Sequence, residues 1–263
     1  MVSTSEPVGI AGAAVTDVAH YAIALGDDAL IASQRLTEWI TLAPQLEEDV
    51  ALGNIALDLL GQARLLFQYA GSLLDPPVGE DDLAYFRDER AFRNVSLVER
   101  PNGDFAVTMA RLLVFSAYQL ELYSRLVQST DSTLAAIAAK AVKEVAYHRD
   151  HARQWVLRLG DGTAESHARM QTALDAEWPW TAELFEAGWL APELVAGGLA
   201  VDPAALAQPA LAWVRAVVAE ATLAEPEVRP AVSFGRVGRH TEEMGRLLAE
   251  LQHLARSHPG ATW

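Results

Sequence analysis

Residues 16–71 read TDVAHYAIALGDDALIASQRLTEWITLAPQLEEDVALGNIALDLLGQARLLFQYAG, and this stretch decides the fold. Val18, Ala22, Ile23, Leu30, Ile31 and Trp39 recur near helical spacing, which predicts a first long helix from about Thr16 to Thr41. Leu42-Ala43-Pro44 breaks it. A second helix is expected with Pro44 in its first turn and with Glu47, Glu48 and Asp49 near its amino end, where the helix dipole favours acids, running to about Gly71. Two long helices joined by so short a turn have to lie antiparallel and share an apolar seam.

Outward from this pair, Asp75-Pro76-Pro77 starts a connection that predicts a short helix over Asp81–Phe92 and an irregular stretch ending at Arg100-Pro101-Asn102-Gly103. A third long helix follows from an Asp104 cap to about Gln128. The fourth is expected to open at Asp131-Ser132-Thr133 and run to Leu159, with Gly160 as a left-handed stop. An up-down pair, a long crossover and a second up-down pair make an all-α, ferritin-like four-helix bundle. Thr163 is expected to cap a fifth helix to about Glu186, kinked at Pro179. Gly188–Val201 reads as a linker, Asp202-Pro203 opens a sixth helix to about Glu225, and Thr241 caps a seventh. The expected organisation is a flexible extension over 1–15 and one ferritin-like domain over 16–263, with the bundle at 16–160 and wrapping helices at 161–263.

Composition narrows the function. The chain has 263 residues, 51% of them hydrophobic, and a formal charge of -15 that would repel a nucleic acid backbone. It has no cysteine, which excludes disulfides, thiolate metal sites and a cysteine nucleophile. No basic, apolar leader opens the sequence, and no uncharged apolar run reaches the roughly 18 to 20 residues of a membrane span. The expected setting is the cytoplasm, with neither nucleic acid nor membrane as partner.

A bundle of this kind raises the question of a di-iron centre, which needs a Glu from each of two helices and a Glu-x-x-His from each of the other two. The one strict Glu-x-x-His, Glu250 to His253, is far along the chain, at the level expected by chance. Glu144, His148 and His151 share a face of the fourth long helix, with Asp28, Asp58, Gln62 and Glu121 on the other three. The favoured reading is a hydrogen-bonded network pairing Asp58, Arg64 and His148. A rearranged metal site of Glu38, Glu121, Glu144 and His148, serving a self-sufficient oxidase, is the alternative. A helical adaptor without enzymatic activity is a third. Gly235-Arg236-Val237-Gly238-Arg239-His240 reads as a solvated basic loop rather than a phosphate site. A helical chain this apolar also suggests a large partner interface.

Several of these runs are familiar as a set. Leu25-Gly26-Asp27-Asp28, Ser33-Gln34-Arg35-Leu36-Thr37-Glu38-Trp39, Ala43-Pro44 and Asn54 through Arg64 resemble the C-subunit family of bacterial phenylacetyl-CoA epoxidase. So do Phe86-Arg87-Asp88-Glu89-Arg90, Glu99 through Phe105, Lys143-Glu144, Tyr147-His148 and Thr181 through Phe185. The resemblance implies a ferritin-like paralogue of the catalytic A subunit that has lost its metal site. Carried over residue by residue, the ligand positions fall on Asp28 or the adjacent Ala29, and on Leu59, Gln62, Ser116, Val145 and His148. The implied role is a structural subunit with no catalytic residue, cofactor or metal of its own. The implied partners are the di-iron A subunit in a heterotetramer, a small B subunit, and a reductase carrying FAD and an iron–sulfur cluster, with phenylacetyl-CoA held mainly by the A subunit.

Overall fold

The computed structural model describes residues 12–261. Four long helices form an all-α, ferritin-like bundle: α1 (Gly12–Thr37), α2 (Leu46–Leu73), α5 (Phe105–Leu126) and α6 (Ser132–Gly160). Between them the crossover carries α3 (Glu80–Tyr85), a 3-10 turn at Glu89–Ala91 and α4 (Ser96–Glu99). After the bundle come α7 (Ala164–Glu177), a 3-10 segment at Trp178–Phe185, α8 (Pro192–Ala196), α9 (Ala207–Glu220) and α10 (Glu242–Ser257). Among the described residues β-structure is limited to one isolated bridge, Phe234 with Arg239. One contiguous apolar cluster runs from Val18 on α1 to Leu248 on α10, so the later helices share the core of the bundle.

The caps at Asp104 and Asp131 form as the sequence predicts. Asp104 accepts from the Val107 N–H, and Asp131 from those of Thr133 and Leu134. Thr163 likewise caps α7, accepting from the Ser166 N–H, and Thr241 stands at the N-cap position of α10, while several other boundaries differ for physical reasons. Of the expected extension, residues 12–15 belong to α1, and residues 1–11 lie outside the described residues. Helix α1 ends at Thr37 rather than Thr41, because the Trp39 indole turns inward to donate to Thr108 Oγ1 at 2.9 Å and packs edge-on against Phe105. Thr41 then takes a φ of 73°, held by its N–H donating to Asp49 at 2.7 Å. Pro44 sits ahead of the Gln45 cap rather than in the first turn of α2. The predicted helix over 81–92 is two short pieces, and α4 occupies a stretch read as irregular.

Gly160 is the last residue of α6, and the residue after it has a φ of -96°, so no left-handed stop occurs there. The glycine is needed for close approach: a Cβ at Gly160 would lie 2.4 Å from the Ala221 carbonyl oxygen. Pro179 converts the chain to 3-10 geometry rather than kinking one helix to Glu186. The expected sixth helix begins as a 3-10 turn at Pro203–Leu206 and stops at Glu220, before the positive φ of Thr222. Helices α2 and α5 are long and apolar enough to cross a membrane by length and composition, and here both pack within the bundle.

Candidate functional site

The six positions of the implied ligand set lie on all four bundle helices, and all are buried. Asp28, on α1, accepts from Arg236 Nη2 at 2.6 Å and from the Val95 N–H at 2.8 Å. Burial pushes its carboxyl up to about 6, against the pull of the Arg236 guanidinium. Leu59, on α2, and Val145, on α6, are fully buried in the apolar cluster. Gln62 Nε2 donates to Glu144 at 3.0 Å. The Ser116 hydroxyl turns back onto its own helix, donating to the Leu112 carbonyl at 2.6 Å. His148 Nε2 meets Asp58 at 3.1 Å. Burial holds that imidazole below the usual histidine value, so it is neutral near pH 7.

This donor set does not fit a pair of irons. Leu59 and Val145 present methyl groups where a ligand oxygen would have to sit, and Asp28 is committed to a guanidinium. Nor does the rearranged set come together. Glu38 bonds Arg35 and Asn102, Glu121 lies 3.6 Å from Arg125, and Glu144 takes Gln62 and Lys140. Among the described residues no group of three or more His, Asp or Glu side chains could hold a metal ion. Glu250 and His253 are both exposed on α10. The network expected between Asp58, Arg64 and His148 is half present, because Arg64 reaches away to Glu80 at 2.8 Å.

Beside the apolar core, a set of buried ion pairs anchors the crossover and the C-terminal segment. Within Gly235–His240, expected to be a solvated loop, Gly235 and Arg236 are threaded into the protein while Val237 and Arg239 stay exposed. A Cβ at Gly235 would lie 2.1 Å from the Asn94 carbonyl oxygen, and Arg236 is buried. Its guanidinium also donates to the Ala24 and Arg93 carbonyls at 3.1 and 3.0 Å and lies over the Trp189 ring. Glu183 accepts from the backbone N–H groups of Ser96 and Arg236, joining α4 to this segment. His240 meets Glu99 at 2.9 Å. Burial alone would depress that imidazole, but the Glu99 carboxylate holds it above the ordinary histidine value. Glu177 binds Arg100 and Arg111 together at 2.8 and 3.2 Å, and Asp27 is gripped by Arg87. Sequence reading missed these pairs because their partners are 60 to 208 positions apart. The signal available was the Asp27-Asp28 doublet inside an apolar helix, since two buried acids require two buried cations.

A second polar seam runs between α2 and α6: Glu48 with His151 at 3.1 Å, Asp58 with His148, and Gln62 with Glu144. Burial pushes His151 down as it does His148. Most carboxylates along the two seams are tied to a cation, an imidazole or an amide, while Glu48 Oε2 and His151 Nε2 approach without forming a hydrogen bond and His148 Nδ1 is buried without a partner among the described residues.

Comparison with known proteins agrees with this architecture. Residues 5–263 match the family described as phenylacetic acid catabolic protein. The chain belongs to that family. A relative, the C subunit of 1,2-phenylacetyl-CoA epoxidase from Escherichia coli (strain K12), is 48% identical over 243 residues, covering 92% of this chain and 98% of its own. The resemblance read from the sequence motifs and the family assignment therefore coincide across nearly the whole chain.

Proposed function

We propose that this chain is the C subunit of a phenylacetyl-CoA epoxidase in the cytoplasm, a structural partner that pairs with and stabilises a di-iron A subunit. The observation that carries the reading is the 48% identity over 98% of a relative bearing that name. The core supports it, with Leu59 and Val145 packed where ligands would stand and Asp28 held by Arg236. In this reading oxygen activation takes place in the partner, fed by a flavin and iron–sulfur reductase. The chain's own residues fix the bundle geometry against which the partner packs. The carboxylates of Asp28 and Glu144 are engaged by Arg236 and by Gln62 and Lys140.

The test is co-expression with the A subunit and measurement of iron per chain in each purified form. The expected result is iron in the complex and in the A subunit, none held by this chain alone, and a loss of thermal stability in the A subunit when this chain is omitted. Two irons in the lone chain, with turnover of phenylacetyl-CoA, would refute it.

A further inference from the structure

Helix α2 has an outer face that nothing among the described residues covers. Leu46, Val50 and Leu57 stand 74, 58 and 65% exposed. At positions i, i+4 and i+11 they fall within about 40° of one another around the helix. Gly53 lies in the same stripe, and a Cβ there would have no atom within 4 Å, so a partner backbone can approach closely. The turn before α2 extends the stripe with Ile40 and Leu42, 50 and 71% exposed. Across the α2–α6 seam stands Tyr147, half exposed, with its ring 6.0 Å from that of His151, which meets Glu48 of α2. These six are half of the twelve large apolar side chains exposed among the described residues.

We propose that this face, centred on α2 between Leu46 and Leu57, is where the A subunit docks through an apolar helix; the assignment rests on the function proposed above. Taking about 180 Å² for a fully exposed large apolar side chain, the six present roughly 600–700 Å². That lies at or above the largest patch usual on a monomer and near the ~800 Å² that each partner contributes to a stable complex. A convex helix face of that size fits another helix and does not enclose a small molecule. Charge argues against a second copy as occupant. The chain carries -15, and Glu47, exposed and without an ionic partner, borders the stripe. Two copies would bring that excess of acid together. Lys143 of α6, exposed and making no ion pair, asks instead for an acid on the partner helix.

The test is the Leu46→Glu/Leu57→Glu variant of the full chain, co-expressed with the A subunit. Both residues are exposed, and Leu46 opens the helix where an acid suits the dipole, so folding should be retained. Unchanged helicity and melting temperature check this. The expected result is at least 100-fold weaker association with the A subunit, while Val232→Glu, 79% exposed on the segment after α9, binds as wild type. Binding of the double variant within twofold of wild type overturns the face while leaving the proposed function standing. A lone wild-type chain that sediments as a dimer and is made monomeric by the double variant overturns the choice of occupant. Failure of the wild-type chain to bind the A subunit overturns the proposed function and this inference with it.

Discussion

Replacing Arg236 with Met removes the cation that balances Asp28 and keeps an apolar stem against the Trp189 ring. The losses are an ion pair at 2.6 Å between side chains only 4 and 3% exposed, and hydrogen bonds to the Ala24 and Arg93 carbonyls. Removing one partner of such a buried pair costs about 3–5 kcal/mol, because the remaining charge is left without compensation. For a chain of this size that is a fall in melting temperature of about 8–15 °C. The penalty depends on pH with a defined sign. Asp28 already titrates near 6 in the folded protein, above its ordinary value, so its contribution favours folding at low pH and is lost as pH rises through 6. Without Arg236 its folded value rises further. Between the two folded values the wild type holds the carboxylate while the variant holds the acid, so the difference shrinks by about 1.4 kcal/mol per pH unit on acidification. Urea unfolding followed by far-ultraviolet circular dichroism at pH 8 and pH 5 measures both effects. Asp28→Asn in the Arg236→Met background should recover part of the loss at pH 8 and little at pH 5. A cost below 1 kcal/mol at pH 8, or an equal cost at both pH values, would refute the reasoning.

Gly160→Ala should destabilise by about 1–3 kcal/mol, since its methyl would meet the Ala221 carbonyl at 2.4 Å and push α9 from α6; a melting temperature within 1 °C of wild type would contradict this. Glu177→Gln releases Arg111, which is buried, and Arg100, which is less so, and should cost about 2–4 kcal/mol in urea unfolding. The two buried histidines should carry opposite pH signatures. His148, held below its ordinary value, supports folding at neutral pH and loses that contribution as pH falls through its folded value, so His148→Gln should cost more at pH 7.5 than at pH 5. His240, held above its ordinary value by Glu99, supports folding below about 6.5 and loses that contribution as pH rises through its folded value. His240→Gln should therefore cost more at pH 5.5 than at pH 8.5, and matched costs would dismiss the Glu99 assignment.

Local rules carried the sequence a long way. Apolar recurrence through 16–71, and side-chain caps such as Asp104 and Asp131, are set by interactions within a few residues, so four long antiparallel helices follow from the chain alone. The family motifs were equally legible, being contiguous runs, and the apolar character of Leu59 and Val145, which the resemblance sets at ligand positions, is a statement about residue type that needs no coordinates. The tertiary structure decided what each polar residue faces. Asp28 could have been a metal ligand or half of an ion pair, and its role was fixed by Arg236, 208 positions later. The same long-range contact buried Gly235 and Arg236 of an apparently solvated loop. Trp39 ended α1 early by bonding to Thr108, 69 positions away. Helix periodicity marks which face is apolar without saying what covers it, so Leu46, Val50 and Leu57 were indistinguishable from core until packing left them in the open. Secondary structure is written in neighbours four residues apart, whereas pairing of charges and exposure of faces are settled when distant segments meet.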